Sequence, residues 1–355
     1  MSRIATIDIG TNTTLLLVAE ANGDAISVLE DRAEITRLGR GIGGDGRLGQ
    51  EGIDRTLAAL SSYAVLARVR EAPIFAIGTE ALRRAPNAAD FLYRAAALLD
   101  TPVEVIDGER EAALTFQAAR LSFPETAART MTVVDIGGGS TEIIVARRGA
   151  VEFCRSLPLG SVRLTERHIH HDPALADEVE AVRAEVLSHL AQIPLPSATD
   201  PPCLVGVAGT VTTLAAMAQG LRSYSPALVH GYRLTLPALE SQIDRLRAST
   251  QRQREAMAGL DPRRADVMLS GAIILSEIAR RLGGSRVGSP PTPPAGTSGP
   301  PATLPTPRAS RAPSSSAAHH SGRAWDPSPG SQISEVLVSD RGIRWGLLYE
   351  KFGIG

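Results

Sequence analysis

Short apolar runs flank a small polar segment at two places along the chain. Residues 4–7 and 15–19 flank the segment DIGTNTT at 8–14, and residues 131–134 and 143–146 flank DIGGGST at 135–141. Each arrangement predicts a strand, a tight turn and a second strand. The similarity of the two segments indicates an internal duplication.

The hydrophobic pattern after each turn predicts further strands and helices in a similar order. In the first half, Asn22-Gly23 predicts a hairpin turn, and Asp107 is a candidate N-cap. The predicted elements there are a helix at 51–71, a strand at 73–78, a helix at 88–100, a strand at 103–106 and a helix at 109–120.

The second half repeats this plan. It predicts strands at 131–136, 141–147 and 151–157, a helix at 175–192, a strand at 204–208 that meets a helix, a long helix at 263–282, a strand at 333–338 and a final helix at 343–352. Three antiparallel strands followed by alternating helices and strands, built twice, predict a duplicated α/β fold with a central cleft.

Residues 284–332 differ from the rest in composition. Pro, Ser, Gly, Ala and Thr dominate there, and aliphatic residues are nearly absent. Such a segment buries too little apolar surface to offset its chain entropy, so we expect it to be disordered. The segment is either a lineage-specific insertion or the product of a faulty reading frame, and the sequence alone does not decide between the two.

Composition limits the class of protein. The 355 residues suffice for two domains, and a net charge of −1 predicts neither a nucleic-acid nor a membrane-surface partner. Cys154 and Cys203 lack the spacing of a disulfide framework or a zinc site. No basic-then-apolar leader and no membrane-length apolar run is found, so the sequence predicts a cytoplasmic protein.

Several motifs narrow the class further. They are GTEALRRAPN at 78–87, VIDGEREA at 105–112, DIGGGSTE at 135–142, LGSVRLTE at 159–166, GVAGTVT at 206–212, RAD at 264–266 and VSDRG at 338–342. In content and order they resemble the exopolyphosphatase / guanosine pentaphosphate phosphohydrolase family. The likeness covers nearly the whole chain except residues 284–332.

The resemblance implies a duplicated ribonuclease H-like fold of the actin/sugar kinase/heat-shock ATPase superfamily, with two domains and an interdomain cleft. Domain I would comprise residues 1–121 and 341–355, and domain II residues 122–340. The chain resembles the short, two-domain branch, which lacks an added helical region. A homodimer is implied by the resemblance alone.

The resemblance also implies catalytic and metal-binding roles for four carboxylates. Glu111 matches the family's general base, although an acid in the first turn of a helix is by itself ordinary, and Glu109 is its rival. Asp135 and Glu142, with Asp8 less directly, are candidate ligands of Mg²⁺ or another divalent cation. In the duplication Glu142 corresponds to Leu15, so a charge replaces an expected apolar residue.

Phosphate-binding roles fall mainly on the two turns. The candidates are Gly10, Thr11, Asn12, Thr13, Arg83, Gly137, Gly138, Gly139, Ser140, Gly209 and Thr210. Gly209 and Thr210 stand where a strand meets a helix N-terminus, a common anion site. We expect Arg264 and Asp266 to form a structural pair near the cleft rather than a catalytic one. The polar run from His168 to Asp172 is not expected to bind metal.

These features predict metal-dependent hydrolysis of the terminal phosphate of inorganic polyphosphate. Guanosine pentaphosphate is the alternative substrate within the family, and the missing helical region favours polyphosphate. An actin-like ATPase or kinase would need an adenosine pocket or an acceptor-activating aspartate, and neither has a distinct signature. A non-catalytic sensor of phosphate ligands is the third alternative, if residues 284–332 disrupt domain II.

Overall fold

Two β-sheets form from the apolar runs that flank the two turns. The computed structural model describes residues 2–23, 25–42, 46–126, 129–194, 203–282 and 333–354. The strands are β1 (Ser2–Ile9), β2 (Thr14–Asn22), β3 (Ala25–Glu34), β4 (Ile74–Gly78), β5 (Val103–Val105), β6 (Thr130–Ile136), β7 (Thr141–Arg147), β8 (Ala150–Leu157), β9 (Cys203–Val207), β10 (Arg233–Thr235) and β11 (Glu335–Val338).

The two sheets share one topology. The first has the order β3-β2-β1-β4-β5, and the second has the order β8-β7-β6-β9-β11, with β10 added at its edge. β1 is antiparallel to β2 and parallel to β4, and β6 is likewise antiparallel to β7 and parallel to β9. This repetition confirms the duplicated ribonuclease H-like fold of the actin/sugar kinase/heat-shock ATPase superfamily.

Helices cover the sheets. They are α1 (Gln50–Val69), α2 (Glu80–Arg84), α3 (Ala88–Leu99), α4 (Gly108–Ser122), α5 (Ser161–His168), α6 (Ala176–Ala191), α7 (Ala208–Ala218), α8 (Pro226–Val229), α9 (Leu236–Ala248), α10 (Gln251–Glu255), α11 (Met268–Leu282) and α12 (Ile343–Phe352). No described helix is long and apolar enough to cross a membrane.

Each sheet has its own large apolar core. In the first, α3 buries Phe91, Ala95 and Leu99, which recur every fourth residue and so form one face of the helix. In the second, α11 is buried along almost its whole length and packs against α6 and α9. The strand ends that form the two turns are therefore each supported by a separate, well-packed apolar core.

α4 and α12 pack closely against each other beside the first sheet. A Cβ on Gly346 of α12 would lie 2.0 Å from the carbonyl oxygen of Leu114 in α4, so only glycine permits this approach. Thr6 Oγ1 of β1 donates a hydrogen bond to the Arg344 carbonyl oxygen at 3.0 Å. These contacts fix the position of α4, the helix that contains Glu111.

Most sequence-predicted elements are confirmed within a few residues. Asp107 caps α4 as predicted, because its Oδ1 accepts a hydrogen bond from the backbone N–H of Arg110 at 2.8 Å. The long helix predicted at 263–282 is wrong at its start: Pro262–Arg264 forms a separate 3₁₀ turn, and α11 begins at Met268. Asp261 is the N-cap of the 3₁₀ turn, because its Oδ1 accepts a hydrogen bond from the backbone N–H of Arg263 at 2.9 Å.

The sequence pattern missed β10, which is the outer strand of the second sheet, and the helix α9 that follows it. Predicted disorder at 284–332 lies outside the described residues. The division into domain I (1–121 and 341–355) and domain II (122–340) stays a prediction.

Candidate active site

The two polar turns have the same backbone geometry. Gly10 N–H donates to the Thr13 carbonyl oxygen at 3.0 Å, and Gly137 N–H donates to the Ser140 carbonyl oxygen at 3.0 Å. A Cβ at Gly10 would lie 2.9 Å from that Thr13 oxygen, so the first turn leaves no room for a side chain there. Tight turns of this kind present backbone N–H groups to anions.

The turns face each other across a cavity of about 760 Å³. A Cβ at Gly138 would lie 3.2 Å from Asn12 Cβ and 3.3 Å from Thr11 Cβ, so the two loops nearly touch. The predicted phosphate-binding residues that line this cavity are Gly10, Thr11, Asn12, Thr13, Gly137, Gly138, Gly139, Ser140, Gly209 and Thr210. Duplication has thus brought donors from both sheets to one cleft.

Four buried acids lie together beside the turns, and we call them the carboxylate cluster: Asp8, Glu111, Asp135 and Glu142. Asp8 pairs with Leu15 across β1 and β2, whereas Asp135 pairs with Glu142 across β6 and β7. The predicted correspondence of Leu15 and Glu142 is therefore confirmed by strand register. The second copy adds one carboxylate at this position.

Hydrogen bonds orient part of the carboxylate cluster. Thr115 Oγ1 donates to Asp135 Oδ2 at 3.1 Å, and Ser156 Oγ donates to Glu142 Oε1 at 2.7 Å. Thr115 is one helical turn beyond Glu111 on α4, so the same helix positions both groups. Asp8 Oδ1 and Glu111 Oε2 are buried without a hydrogen-bond partner among the described residues.

Burial and mutual repulsion disfavour ionisation of the carboxylate cluster. Burial, with the Asp135 charge, raises the pKa of Asp8 to about 7, and burial raises the pKa of Asp135 to about 6 despite the Thr115 hydrogen bond. Burial and Asp135 raise the pKa of Glu142 to about 8. Burial, followed by the Glu142 and Asp135 charges, raises the pKa of Glu111 well above its ordinary value. Carboxylates so perturbed in a cleft are typical of functional sites.

The charge distribution of the cluster suits a divalent cation, but the protein side chains do not supply a complete set of ligands for one. Among the described residues, no three His, Cys, Asp or Glu side chains are arranged to hold a metal ion by themselves. Mg²⁺ is ordinarily bound by one or two carboxylates together with water and substrate phosphates. Asp8 Oδ1, which is buried without a hydrogen-bond partner among the described residues, and the neighbouring carboxylates of Asp135 and Glu142 suit that open mode.

A third anion-binding element lies where β9 meets α7. The helix begins at Ala208, which has a φ of 67°, a conformation that non-glycine residues rarely adopt. A Cβ on Gly209 would lie 2.4 Å from Arg264 Nη1, so glycine lets the guanidinium sit directly on the helix N-terminus. Strained backbone of this kind clusters at ligand sites.

Arg264 is a cleft residue whose role the sequence missed. Its side chain donates a hydrogen bond from Nη2 to Thr13 Oγ1 at 2.9 Å, and it lines the cavity. The predicted Arg264–Asp266 pair is wrong, since Asp266 Oδ2 instead lies 3.1 Å from Arg37 Nη2. Burial lowers the pKa of Arg264, although the nearby Asp261 charge opposes this shift.

Arg83 lies beside the general-base candidate rather than in the wall of the large cavity. Its Nη1 donates to the Ile106 carbonyl oxygen at 2.6 Å and lies 3.7 Å from Glu111 Oε2, too far for a hydrogen bond. Its phosphate-binding role stays a prediction. The histidine-rich run forms local ion pairs, with His171 Nδ1 2.9 Å from Glu178 Oε1.

The duplicated actin-like fold, the two phosphate-type turns and the buried carboxylate cluster together define a class of proteins that bind phosphorylated ligands. Comparison with known sequences identifies the family within this class. The sequence model of the Ppx/GppA phosphatase family matches residues 17–288. Exopolyphosphatase 2 of Mycobacterium tuberculosis is 39% identical over 296 residues, which cover 79% of this chain and 91% of that protein. The chain belongs to the Ppx/GppA phosphatase family.

Solved structures agree with this placement. The Aquifex aeolicus member of the Ppx/GppA family is 28% identical, with a TM-score of 0.72 over 99% of this chain and 97% of that one. An exopolyphosphatase from Cytophaga hutchinsonii is 26% identical, with a TM-score of 0.79 over 100% of this chain and 99% of that one.

Proposed function

We propose that this protein is an exopolyphosphatase, which hydrolyses the terminal phosphoanhydride bond of inorganic polyphosphate. The observation that carries the proposal is the meeting of two anion-binding turns with a buried, strongly perturbed Glu111 in one cleft. Similar proteins named exopolyphosphatases support the choice of substrate.

In this mechanism the backbone N–H groups of the two turns hold the terminal phosphates. Gly10 to Thr13 serve one side of the cleft and Gly137 to Ser140 the other, with Gly209 and Thr210 at the start of α7 as a third contact. Donors fixed by folded backbone lose little entropy when the phosphate binds, so the terminal group is held in line for attack.

Glu111 acts as the general base. Its raised pKa makes the Glu111 carboxylate a stronger base, which favours proton transfer from an attacking water. Its Oε2 has no hydrogen-bond partner among the described residues and is therefore available to orient that water. The phosphorus–oxygen bond to the remaining chain breaks as the water oxygen bonds to the terminal phosphorus.

Mg²⁺, or another divalent cation, is proposed as the cofactor, with Asp135 and Glu142 as its protein ligands and Asp8 nearby. When bound it would neutralise phosphate charge. Arg83 would keep Glu111 oriented and reach the phosphates from the side. A cytoplasmic location and a homodimer also belong to this proposal.

The test is orthophosphate release by the purified full chain from pure polyphosphate and from pure guanosine pentaphosphate, with Mg²⁺ present or chelated. We expect Mg²⁺-dependent release, faster from polyphosphate. Faster release from guanosine pentaphosphate would make that the substrate, transfer from ATP to an acceptor would indicate a kinase, and binding without release would indicate a sensor.

A further inference from the structure

A buried acid that the proposed mechanism does not use lies where the two turns meet. The Glu80 side chain on α2 is 7% exposed and lines the large cavity. Its Oε1 accepts a hydrogen bond from Arg84 Nη1 at 2.9 Å and a second from Arg163 Nη2. Thr11 Oγ1 donates to its Oε2 at 3.4 Å.

These donors come from both halves of the duplication. Thr11 belongs to the first turn. Arg163 lies on α5, which contacts the second turn: its backbone N–H donates to the Gly138 carbonyl oxygen at 3.1 Å, and its Nε donates to the Gly139 carbonyl oxygen at 2.7 Å. A Cβ on Gly139 would lie 2.0 Å from Glu80 Oε2. The carboxylate thus fills the narrow space between the two turns, and a side chain at position 139 would require Glu80 to move.

The charges around this space favour a second anion. Two guanidinium groups face one carboxylate, which leaves an excess of one positive charge. Carboxylate and phosphate oxygens accept hydrogen bonds from the same donors, and arginine binds either with two parallel hydrogen bonds. An acid in a phosphate cleft repels a polyanion unless it can move aside.

We propose that Thr11, Arg84 and Arg163 form a phosphate-binding subsite, which the Glu80 carboxylate occupies as an internal anion until a phosphoryl group of the substrate displaces it. The inference rests on the proposed function, since it takes the ligand to be a linear phosphoanhydride. Glu80 then competes with substrate and weakens its binding.

A smaller cavity gives the displaced side chain room. It has a volume of about 250 Å³, and Thr11, Gly139 and Arg163 line it as well as contacting the Glu80 region. The Glu80–Arg163 contact therefore lies at the boundary of the two cavities. A small side-chain movement would take the carboxylate out of the cleft without unfolding α2.

The test measures binding of tripolyphosphate by isothermal titration calorimetry to the full chain carrying Glu111→Gln, which suppresses hydrolysis. Adding Glu80→Gln keeps the shape of the side chain but removes its charge. We expect tripolyphosphate to bind about tenfold more tightly, a gain of about 1.4 kcal/mol. The double change Glu80→Gln with Arg163→Gln should lose this gain, because it removes the guanidinium freed for phosphate.

Glu166→Gln is the matched control. Glu166 also lies on α5, lines the smaller cavity and accepts from the Gly41 N–H at 2.9 Å. Within the part of the chain that the structure describes, its side chain has no hydrogen bond or ion pair with Thr11, Arg84 or Arg163. We expect its binding to be unchanged. Unchanged binding in Glu80→Gln, an equal gain in Glu166→Gln, or a gain that persists in the double variant would overturn the proposal.

Thermal unfolding of each variant separates misfolding from altered binding. In the double variant both members of the Glu80–Arg163 pair are neutral, so neither is left as an unpaired buried charge. Hydrolysis by the unmodified chain is measured separately. Hydrolysis without the binding gain contradicts only the subsite, and the binding gain without hydrolysis contradicts only the proposed function.

Discussion

Replacing Glu111 with glutamine tests the general-base assignment while preserving the shape of the side chain. Glutamine cannot accept a proton from water, so the loss should equal the contribution of general-base catalysis, about 10²- to 10⁴-fold in turnover. This corresponds to about 3–5 kcal/mol in the activation free energy. The KM for polyphosphate should change little, because the turns that hold the phosphates remain intact.

The same substitution should stabilise the fold. Burial and the charges of Glu142 and Asp135 raise the pKa of Glu111, so the folded state resists its ionisation. Removing the charge relieves this cost, and we expect the free energy of unfolding to rise by about 0.5–2 kcal/mol at neutral pH. Few substitutions abolish activity and raise stability together, which makes the combined result diagnostic.

The assay pairs orthophosphate release under saturating polyphosphate with urea unfolding. Glu109→Gln is the control, since Glu109 lies two residues earlier on α4, is exposed and lies outside the carboxylate cluster. It should retain near wild-type turnover and stability. Wild-type turnover in Glu111→Gln, or an equal loss in Glu109→Gln, would refute the assignment.

Three further predictions concern the contact between α4 and α12, the Arg264 side chain in the cleft, and the charge of the carboxylate cluster. Gly346→Ala should lower the free energy of unfolding, measured with urea, by about 1–3 kcal/mol, because the new Cβ would clash with the Leu114 carbonyl oxygen. Unchanged stability would contradict the close approach of α4 and α12. Arg264→Gln should raise the KM for polyphosphate by about tenfold or more with a smaller effect on kcat, since a charged donor to phosphate is lost; an unaltered KM would remove Arg264 from the site. With divalent cations chelated, the melting temperature should fall between pH 5 and pH 8. Asp8, Asp135 and Glu142 have folded-state pKa values raised to about 6–8, so the folded state binds more protons than the unfolded chain, and stability is lost as pH rises through this window. Added Mg²⁺ should restore more stability at pH 8 than at pH 5, and a flat profile in both conditions would argue against a cation at the cluster.

The internal duplication made much of the fold and site predictable. Comparing the two copies aligned Leu15 with Glu142, and the strand registers bear this out. Local signals were equally informative: Asp107 follows a strand and precedes an amphipathic helix, and it caps that helix. Such features depend on neighbours in sequence, so the sequence alone reveals them.

Features set by long-range packing could not be predicted. Arg264 and Asp266 are neighbours in sequence but have different partners, because the loop before α11 turns one side chain into the cleft and the other toward Arg37. In the sequence Glu80 is one acid within the GTEALRRAPN motif, and its donors become evident only where the two turns meet in the fold. In both cases the partners come from distant parts of the chain.

The central claim is that water attacks the terminal phosphorus of the chain, and isotopic labelling tests this most directly. Tripolyphosphate is hydrolysed by the full chain at low conversion in ¹⁸O-enriched water with Mg²⁺, and the orthophosphate is analysed by mass spectrometry. The account predicts one solvent oxygen in each released orthophosphate and none in the pyrophosphate left behind. Unlabelled orthophosphate with labelled pyrophosphate, or no release at all, would contradict it.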